Sequence, residues 1–362
     1  MRWTGRCCDY KKIKLLGSGC SSDVYLIEEK NTKARYAAKV IKSSNQLKKD
    51  KYKYREFWIL CKINAPTVIK FHGMSLYDTD GYPNQTIILD YKEKGSLHEL
   101  LRNAANGFIK LDNTKKQIIL CGIAHGMMCL HEHQIIHRDL KPGNVLLDDQ
   151  YRPFITDFGF SRFWDSKNES MSICGTPLYL APEILLNSHY DCKVDVFSFG
   201  VLMFEVVTER QPYQEIITQK HLNQFTLPNE VQNGARPIFN IPVKRCIKQL
   251  IEQCWSENPQ DRPTFREIFD KLSLMYDIDH SCKSKLSDIN DGYYQYGLED
   301  VDVELVRHYV DEITNRGAIS KQQMQAKLDE QTRSIKSLQL RIEQLAEMNE
   351  EERRKSKKLS DK

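Results

Sequence analysis

Asp139, Lys141 and Asn144 fall close together in the string His137-Arg138-Asp139-Leu140-Lys141-Pro142-Gly143-Asn144. A carboxylate there can accept or orient a hydroxyl proton, the lysine can balance charge on a group in transfer, and the amide oxygen can ligate a hard metal ion. Asp157, followed by Phe158 and Gly159, offers a second oxygen ligand, and the glycine lets the chain change direction beside it. The chemistry these groups suit is phosphoryl transfer, with Mg2+ screening a nucleoside triphosphate.

Groups that could grip such a nucleotide lie upstream. Gly17-Ser18-Gly19-Cys20-Ser21-Ser22 separates two strand patterns and is followed by Val24, so backbone amides can approach phosphates in a hairpin. Taken alone, a G-x-G turn is an ordinary hairpin. Lys39 follows in Tyr36-Ala37-Ala38-Lys39, and Glu56 stands on the next helical pattern as the carboxylate that would fix it. An arbitrary pair of this kind is two surface charges. Its order after the glycine turn favours the functional reading.

The elements that must position these groups divide the chain. Strand patterns run Ile13 to Gly17, Val24 to Glu28, Arg35 to Ile41 and Thr86 to Tyr91, interrupted by one helix from about Lys49 to Ile63. Helical patterns then dominate: Thr114 to His133, Lys193 to Val207, Lys244 to Trp255 and Thr264 to Met275. A strand-rich lobe over residues 10–91 thus precedes a helical one over 95–275, an α+β arrangement in two lobes. Residues 276–320 read as a linker with a short amphipathic helix carrying Val303, Val306, Val310 and Ile313. Beyond it, Leu328, Ile335 and Ile342 alternate with Met324, Leu338 and Leu345 in a heptad pattern. Residues 321–362 are therefore a candidate coiled coil with a basic end, suited to a homodimer or a partner helix, although Lys321 and Gln331 interrupt the seam and a single solvated helix is the alternative.

With both loop strings, the glycine turn and the lysine in place, the chain resembles the eukaryotic protein kinase family over Tyr10 to Met275. The resemblance implies the two-lobed kinase fold, ATP and Mg2+ as cofactors and a protein substrate. It extends to Gly175-Thr176-Pro177-Leu178-Tyr179-Leu180-Ala181-Pro182-Glu183, similar to the family's substrate-docking segment. By the same resemblance, Asp195 anchors the catalytic loop backbone and Glu183 pairs with Arg262. Asp139 and Lys141 are the implied catalytic residues, and Asn144 and Asp157 the implied metal ligands. Nucleotide contacts are implied for Leu16, Gly17, Ser18, Gly19, Val24, Ala37, Lys39, Glu56, Leu89 and Leu146, with hinge backbone from Asp90 to Lys92 and a ribose contact at Ser96. Leu60, His137 and Phe158 match the stack that ties the lobes together.

The Lys141-Pro142-Gly143-Asn144 loop resembles serine/threonine kinases, and Gly95-Ser96-Leu97 and Cys254-Trp255-Ser256-Glu257-Asn258-Pro259 look most like the tyrosine-kinase-like group. Gly143 stands where many basophilic relatives carry glutamate, which argues against strong arginine selection. Ser161, Ser166, Ser170, Ser172 and Thr176 lie in the expected activation segment, and Arg138 offers a cation for a phosphate there. Ser170 and Ser172 are the expected sites. Ser22 replaces the family's third loop glycine. That departure is the one support for the alternative, a catalytically weak pseudokinase acting as a scaffold.

Composition narrows the partners. The formal charge of +4 is small for 362 residues, without a basic stripe before the extreme C-terminus, so nucleic acid is not expected. The longest apolar run, Val196 to Val207, is shorter than the ~20 residues a membrane span needs. A cytoplasmic location is expected, with Arg353-Arg354-Lys355-Ser356-Lys357-Lys358 as an alternative nuclear address. The 11 cysteines lack zinc spacing, so reduced thiols are expected, and a metal at His131 and His133 is disfavoured.

Overall fold

The computed structural model describes residues 9–19, 21–42, 55–164, 175–185, 190–223, 225–273 and 298–317. Cys20, residues 49–54 of the expected first helix, Ser166, Ser170, Ser172, the candidate coiled coil and the terminal basic run lie outside these.

The strand patterns of the N-terminal third become β1 (Tyr10–Ser18), β2 (Ser22–Glu29), β3 (Arg35–Ile41), β4 (Phe71–Ser75) and β5 (Thr86–Asp90), with α1 (Arg55–Lys62) between β3 and β4. They form one five-stranded antiparallel sheet in the order β1-β2-β3-β5-β4. β5 is buried over four of its five residues, as its inner position in the sheet requires. Phe57, Leu60 and Cys61 of α1 are buried, and Glu56 beside them is also out of solvent.

The helical lobe begins at α2 (Leu97–Ala105) and α3 (Asn113–Glu132). α2 opens on a reciprocal cap: Ser96 Oγ accepts from Glu99 N–H at 3.3 Å, and Glu99 Oε2 accepts from Ser96 N–H at 3.2 Å. Asp112 caps α3 by accepting from Lys115 N–H at 2.8 Å. Short strands β6 (Ile135–Ile136), β7 (Val145–Leu147), β8 (Pro153–Ile155) and β9 (Arg162–Phe163) pair as β6-β9 and β7-β8. Then follow α4 (Pro182–Leu185), α5 (Lys193–Thr208), α6 (Gln214–Lys220), α7 (Leu227–Gln232), α8 (Arg245–Cys254), α9 (Phe265–Ser273) and, after the gap, α10 (Val303–Gly317).

α5 contains the longest apolar run, and every residue from Val194 to Thr208 is buried, so it serves as the lobe's central helix. α8 crosses it closely: a Cβ on Gly200 would stand 2.8 Å from Cys254 Cβ. α8 and α9 are apolar on one side only, burying Cys246, Ile247, Leu250, Ile251 and Cys254 from the first and Phe265, Ile268, Phe269 and Leu272 from the second. Among the described residues no helix is long and apolar enough to cross a membrane. Cys61, Cys121, Cys129, Cys192, Cys246 and Cys254 are free thiols.

Arg262 is fully enclosed and grips Glu183 with both ends of its guanidinium, at 2.6 and 3.0 Å, while also donating to the Ser256 and Lys193 carbonyls. Removing one member of an enclosed pair leaves the other charge without compensation. Arg262→Ala is expected to cost ~3 to 5 kcal/mol in chemical denaturation followed by circular dichroism. A loss below ~1 kcal/mol would show the pair to be dispensable.

Candidate active site

Three elements converge on one ammonium group. Lys39 on β3 donates to Glu56 Oε1 and Oε2 of α1 at 2.7 and 2.8 Å, and to Asp157 Oδ1 at 2.7 Å. Burial alone would push the lysine's pKa down, but the Glu56 and Asp157 carboxylates outweigh it and hold the side chain charged. For Asp157 burial acts upward, and the charge and hydrogen bond of Lys39 bring its pKa below the usual carboxylate value.

Asp139 lies across the site, and both its oxygens are engaged. Oδ1 accepts from Thr176 Oγ1 at 2.7 Å, while Oδ2 accepts from Asn144 Nδ2 at 2.9 Å and pairs with Lys141 Nζ at 2.8 Å. Lys141 also donates to Thr176 Oγ1 at 2.6 Å. Asp139, Lys141, Asn144 and Thr176 therefore form one closed polar network. Asn144 spends its amide hydrogens on Asp139, the second on the Asp139 carbonyl at 2.7 Å, which turns Asn144 Oδ1 into the atom left for a metal.

The loop that carries Asp139 is held from below. Asp195 on α5 accepts from His137 N–H and Arg138 N–H, each at 2.8 Å, and from His131 Nε2 at 2.9 Å. Burial would raise the pKa of this fully enclosed carboxylate, but the His131 hydrogen bond and the surrounding donors bring it below the usual value. His131 is thus a donor that helps hold Asp195. The His137 ring joins two segments: its Nε2–H donates to the Thr156 carbonyl at 3.0 Å and its Nδ1 accepts from Asp139 N–H at 3.3 Å. A carbonyl only accepts and a backbone amide only donates, so those partners select the neutral Nε2–H tautomer. Arg138 and Asp157 both have left-handed backbones, with φ of 67° and 62°. Such conformations are costly for residues other than glycine, and these bonds on either side hold them.

The remaining expected contacts surround this centre. Ala37 and Leu89 are buried, while Leu16, Val24 and Leu146 are partly open, as residues lining a cleft would be. Asp90 and Lys92 turn their side chains to each other at 3.2 Å, with His72 also on Asp90 and the Lys92 ammonium 3.5 Å above the Phe154 ring, so main-chain atoms are what they can offer a base. Ser96 Oγ is spent as an acceptor in the α2 cap; its own hydrogen is what remains for a sugar. Leu60 and Phe158 are buried, and Phe158 meets the His137 ring edge-on at 5.4 Å.

Gly17 and Ser18 end β1, paired with Val24 and Asp23 of β2, and Gly19 begins the turn between them. The turn is stapled by two residues not expected from the sequence: Ser18 Oγ donates to Asp23 Oδ1 at 2.6 Å, and Lys42 reaches Asp23 at 2.9 Å and the Gly19 carbonyl at 2.8 Å. A lysine just after β3, in register with the turn, was the available signal. Ser161, within the expected activation segment, is fully buried and donates to the His137 carbonyl at 3.1 Å, which makes it a support for the loop.

The donor set fits magnesium. Asn144 and Asp157 supply hard oxygens, and no described cluster of three or more His, Cys, Asp or Glu side chains would close a metal site without phosphate oxygens. Gly17 has open space where a Cβ would stand, so the end of β1 leaves room for phosphates.

Fold and site together define a protein kinase. Residues 10–272 match the family described as the protein kinase domain, and the chain belongs to that family. It is 31% identical over 263 residues to the dual specificity protein kinase shkB of Dictyostelium discoideum, covering 72% of this chain and 39% of that protein. The probable serine/threonine-protein kinase drkC of the same organism is 37% identical over 227 residues, 61% of this chain and 29% of its own length. Serine/threonine-protein kinase 12 of Arabidopsis thaliana is 34% identical over 235 residues, 62% of this chain and 48% of its own. The chain thus spans less than half the length of each of these relatives.

Two outcomes follow from the geometry. Asp195→Asn replaces an oxygen acceptor facing backbone N–H groups with an amide that cannot accept at both ends, so the loop shifts; transfer activity is expected to fall by roughly 100-fold. A variant within threefold of wild type in a steady-state assay would show that the loop holds its place unaided. Near the docking segment, Tyr179 donates to Glu205 Oε2 at 2.5 Å, and burial raises Glu205 to about 7 despite that bond. A carboxyl raised above its unfolded value stabilises the fold at low pH, and the contribution drains away between the unfolded value of 4.5 and about 7. Wild type is therefore expected to lose on the order of 3 kcal/mol relative to Glu205→Gln between pH 4.5 and 7.5. Parallel stability curves for the two proteins would contradict this.

Proposed function

We propose that this chain transfers the γ-phosphoryl group of ATP to serine or threonine hydroxyls of proteins. The observation that carries the proposal is Lys39, held between Glu56 and Asp157 while Asp139, Lys141, Asn144 and Thr176 form one network across the cleft. Lys39 binds the nucleotide's phosphates. Asp139 orients the attacking hydroxyl and takes up its proton, and Lys141 balances charge on the transferring group. Magnesium held by Asn144 and Asp157 supplies neutralisation of the phosphate oxygens. Leu16, Val24, Ala37, Leu89 and Leu146 enclose the base, and the main chain from Asp90 to Lys92 pairs with its edge.

The hydroxyl preference rests on Thr176, whose bonds to Lys141 and Asp139 close the floor of the site and suit a short side chain. The lysine-containing loop and the serine/threonine kinases among its relatives point the same way. Activity is switched by phosphorylation of the segment after Phe163. Arg138, which donates to the Phe160 carbonyl at 2.6 Å and to Tyr190 Oη at 3.0 Å, is the cation that would pair with that phosphate. The C-terminal heptads serve a second copy or a partner helix.

Radiolabelled ATP with the full chain and a general protein substrate tests the central claim. Incorporation is expected on serine and threonine by phosphoamino acid analysis, and Asp139→Asn is expected to lower it at least ~100-fold. Equal incorporation by both proteins would leave the scaffold function in its place.

A further inference from the structure

α10 is more than an appended helix. Leu298, Val306, Tyr309 and Ile313 are buried and share the apolar core that includes α3. Two hydrogen bonds set the position of its start: Asn113 Nδ2 donates to the Glu299 carbonyl at 2.9 Å, and Asp302 N–H donates to Thr114 Oγ1 at 2.9 Å. The buried face differs from the expected apolar spacing, since Val303 is 41% exposed and Tyr309 replaces it as a central contact.

The contacts of Tyr309 and Glu312 fall on the turn between β7 and β8. Arg152 grips Glu312 with both guanidinium ends, at 3.0 and 2.8 Å, and stacks 5.8 Å from the Tyr309 ring centroid. Gly122 of α3 is where the three parts meet: a Cβ there would stand 2.2 Å from Tyr309 Oη and 2.4 Å from Pro153 Cγ. The turn is itself tightly tied, with Asp148 Oδ1 accepting from Gln150 N–H and Arg152 N–H at 3.0 and 2.8 Å.

The hairpin that begins and ends at this turn carries the metal ligands at its open end. Asn144 directly precedes β7, Asp157 closely follows β8, and Thr156 N–H donates to the Asn144 carbonyl at 3.0 Å between them. Each strand has three residues, about 10 Å of chain, too short for a displacement of the turn to die away before the ligands. We propose that α10 is a built-in brace for the metal-binding hairpin, with Glu312 and Tyr309 as positioning residues that act through Arg152 and Pro153 on the spacing of Asn144 and Asp157. The proposal rests on the reading that those two residues hold magnesium.

The test uses the full chain and four variants: Glu312→Gln, Glu312→Arg, Arg152→Glu and the exchanged pair Arg152→Glu with Glu312→Arg. Calorimetry measures ADP affinity with and without Mg2+, and hydrogen exchange follows the amides of residues 145–157. Each single change is expected to weaken Mg2+-ADP binding roughly fivefold while metal-free ADP stays within about twofold, with faster exchange in the hairpin. Restoring the ion pair in reverse is expected to bring both readouts back to within about twofold of wild type. Glu312→Gln keeps the side chain's shape, so it reports even where charge reversal prevents folding. A lowered melting temperature with unchanged Mg2+-ADP affinity would reduce α10 to a stabilising strut, and equal losses with and without metal would also overturn the brace. Wild type that binds ADP no better with Mg2+ would instead overturn the metal assignment itself, whatever the variants do.

Discussion

The structure depends on one buried cation. Lys39 is charged in a place where burial opposes charge, and it can remain so because Glu56 and Asp157 approach it from two different elements. Glu56, itself buried, would be costly without the lysine. The three groups therefore stabilise one another only when β3, α1 and the segment after β8 are all in place. The charge of Lys39 and the relative placement of these elements are thus a single electrostatic condition.

A second buried charge does for the loop what Lys39 does for the cleft. Asp195 has no substrate to meet; its lone pairs receive two consecutive backbone N–H groups and a histidine, and those bonds hold Arg138 in a left-handed conformation. His137 then passes the constraint onward, from Asp139 to Thr156 and so to the second left-handed residue, Asp157. Strain at these two positions is offset by hydrogen bonds from their neighbours. The central helix α5 supplies the rigidity, since its burial on all sides fixes Asp195 itself.

Much of this was legible in the sequence, and the reason is that the chemistry demands residue types that chance does not assemble. Asp139, Asn144, Asp157, Lys39 and Glu56 announce themselves by order and kind, and the structure brings them together. Elements without chemistry were harder to see. β4 holds His72, Gly73 and Ser75 among its five residues and lacks a clean alternation. α2 is only nine residues long, yet Leu97, Leu100, Leu101 and Ala104 keep a helical spacing behind the Ser96 and Glu99 cap. That cap was the missed signal, because a serine at such a place suggests a sugar contact as readily as a helix start. Ser161 shows the converse: its burial and its carbonyl partner cannot be read from its place in an expected loop.

The tail helix completes the logic by which distant sequence acts on the site. No pattern in residues 303–317 indicates which surface they cover, since periodicity gives a helix's apolar face but not its partner. The partner is legible only from the other side, where Gly122 lacks the side chain that Tyr309 and Pro153 would displace. A small residue in the middle of α3 makes sense once two other segments are seen to need its space. The same crossing puts α10 against the one hairpin whose open end carries both Asn144 and Asp157. Packing that would be ordinary elsewhere in the lobe falls here on a hairpin whose three-residue strands end beside Asn144 and Asp157.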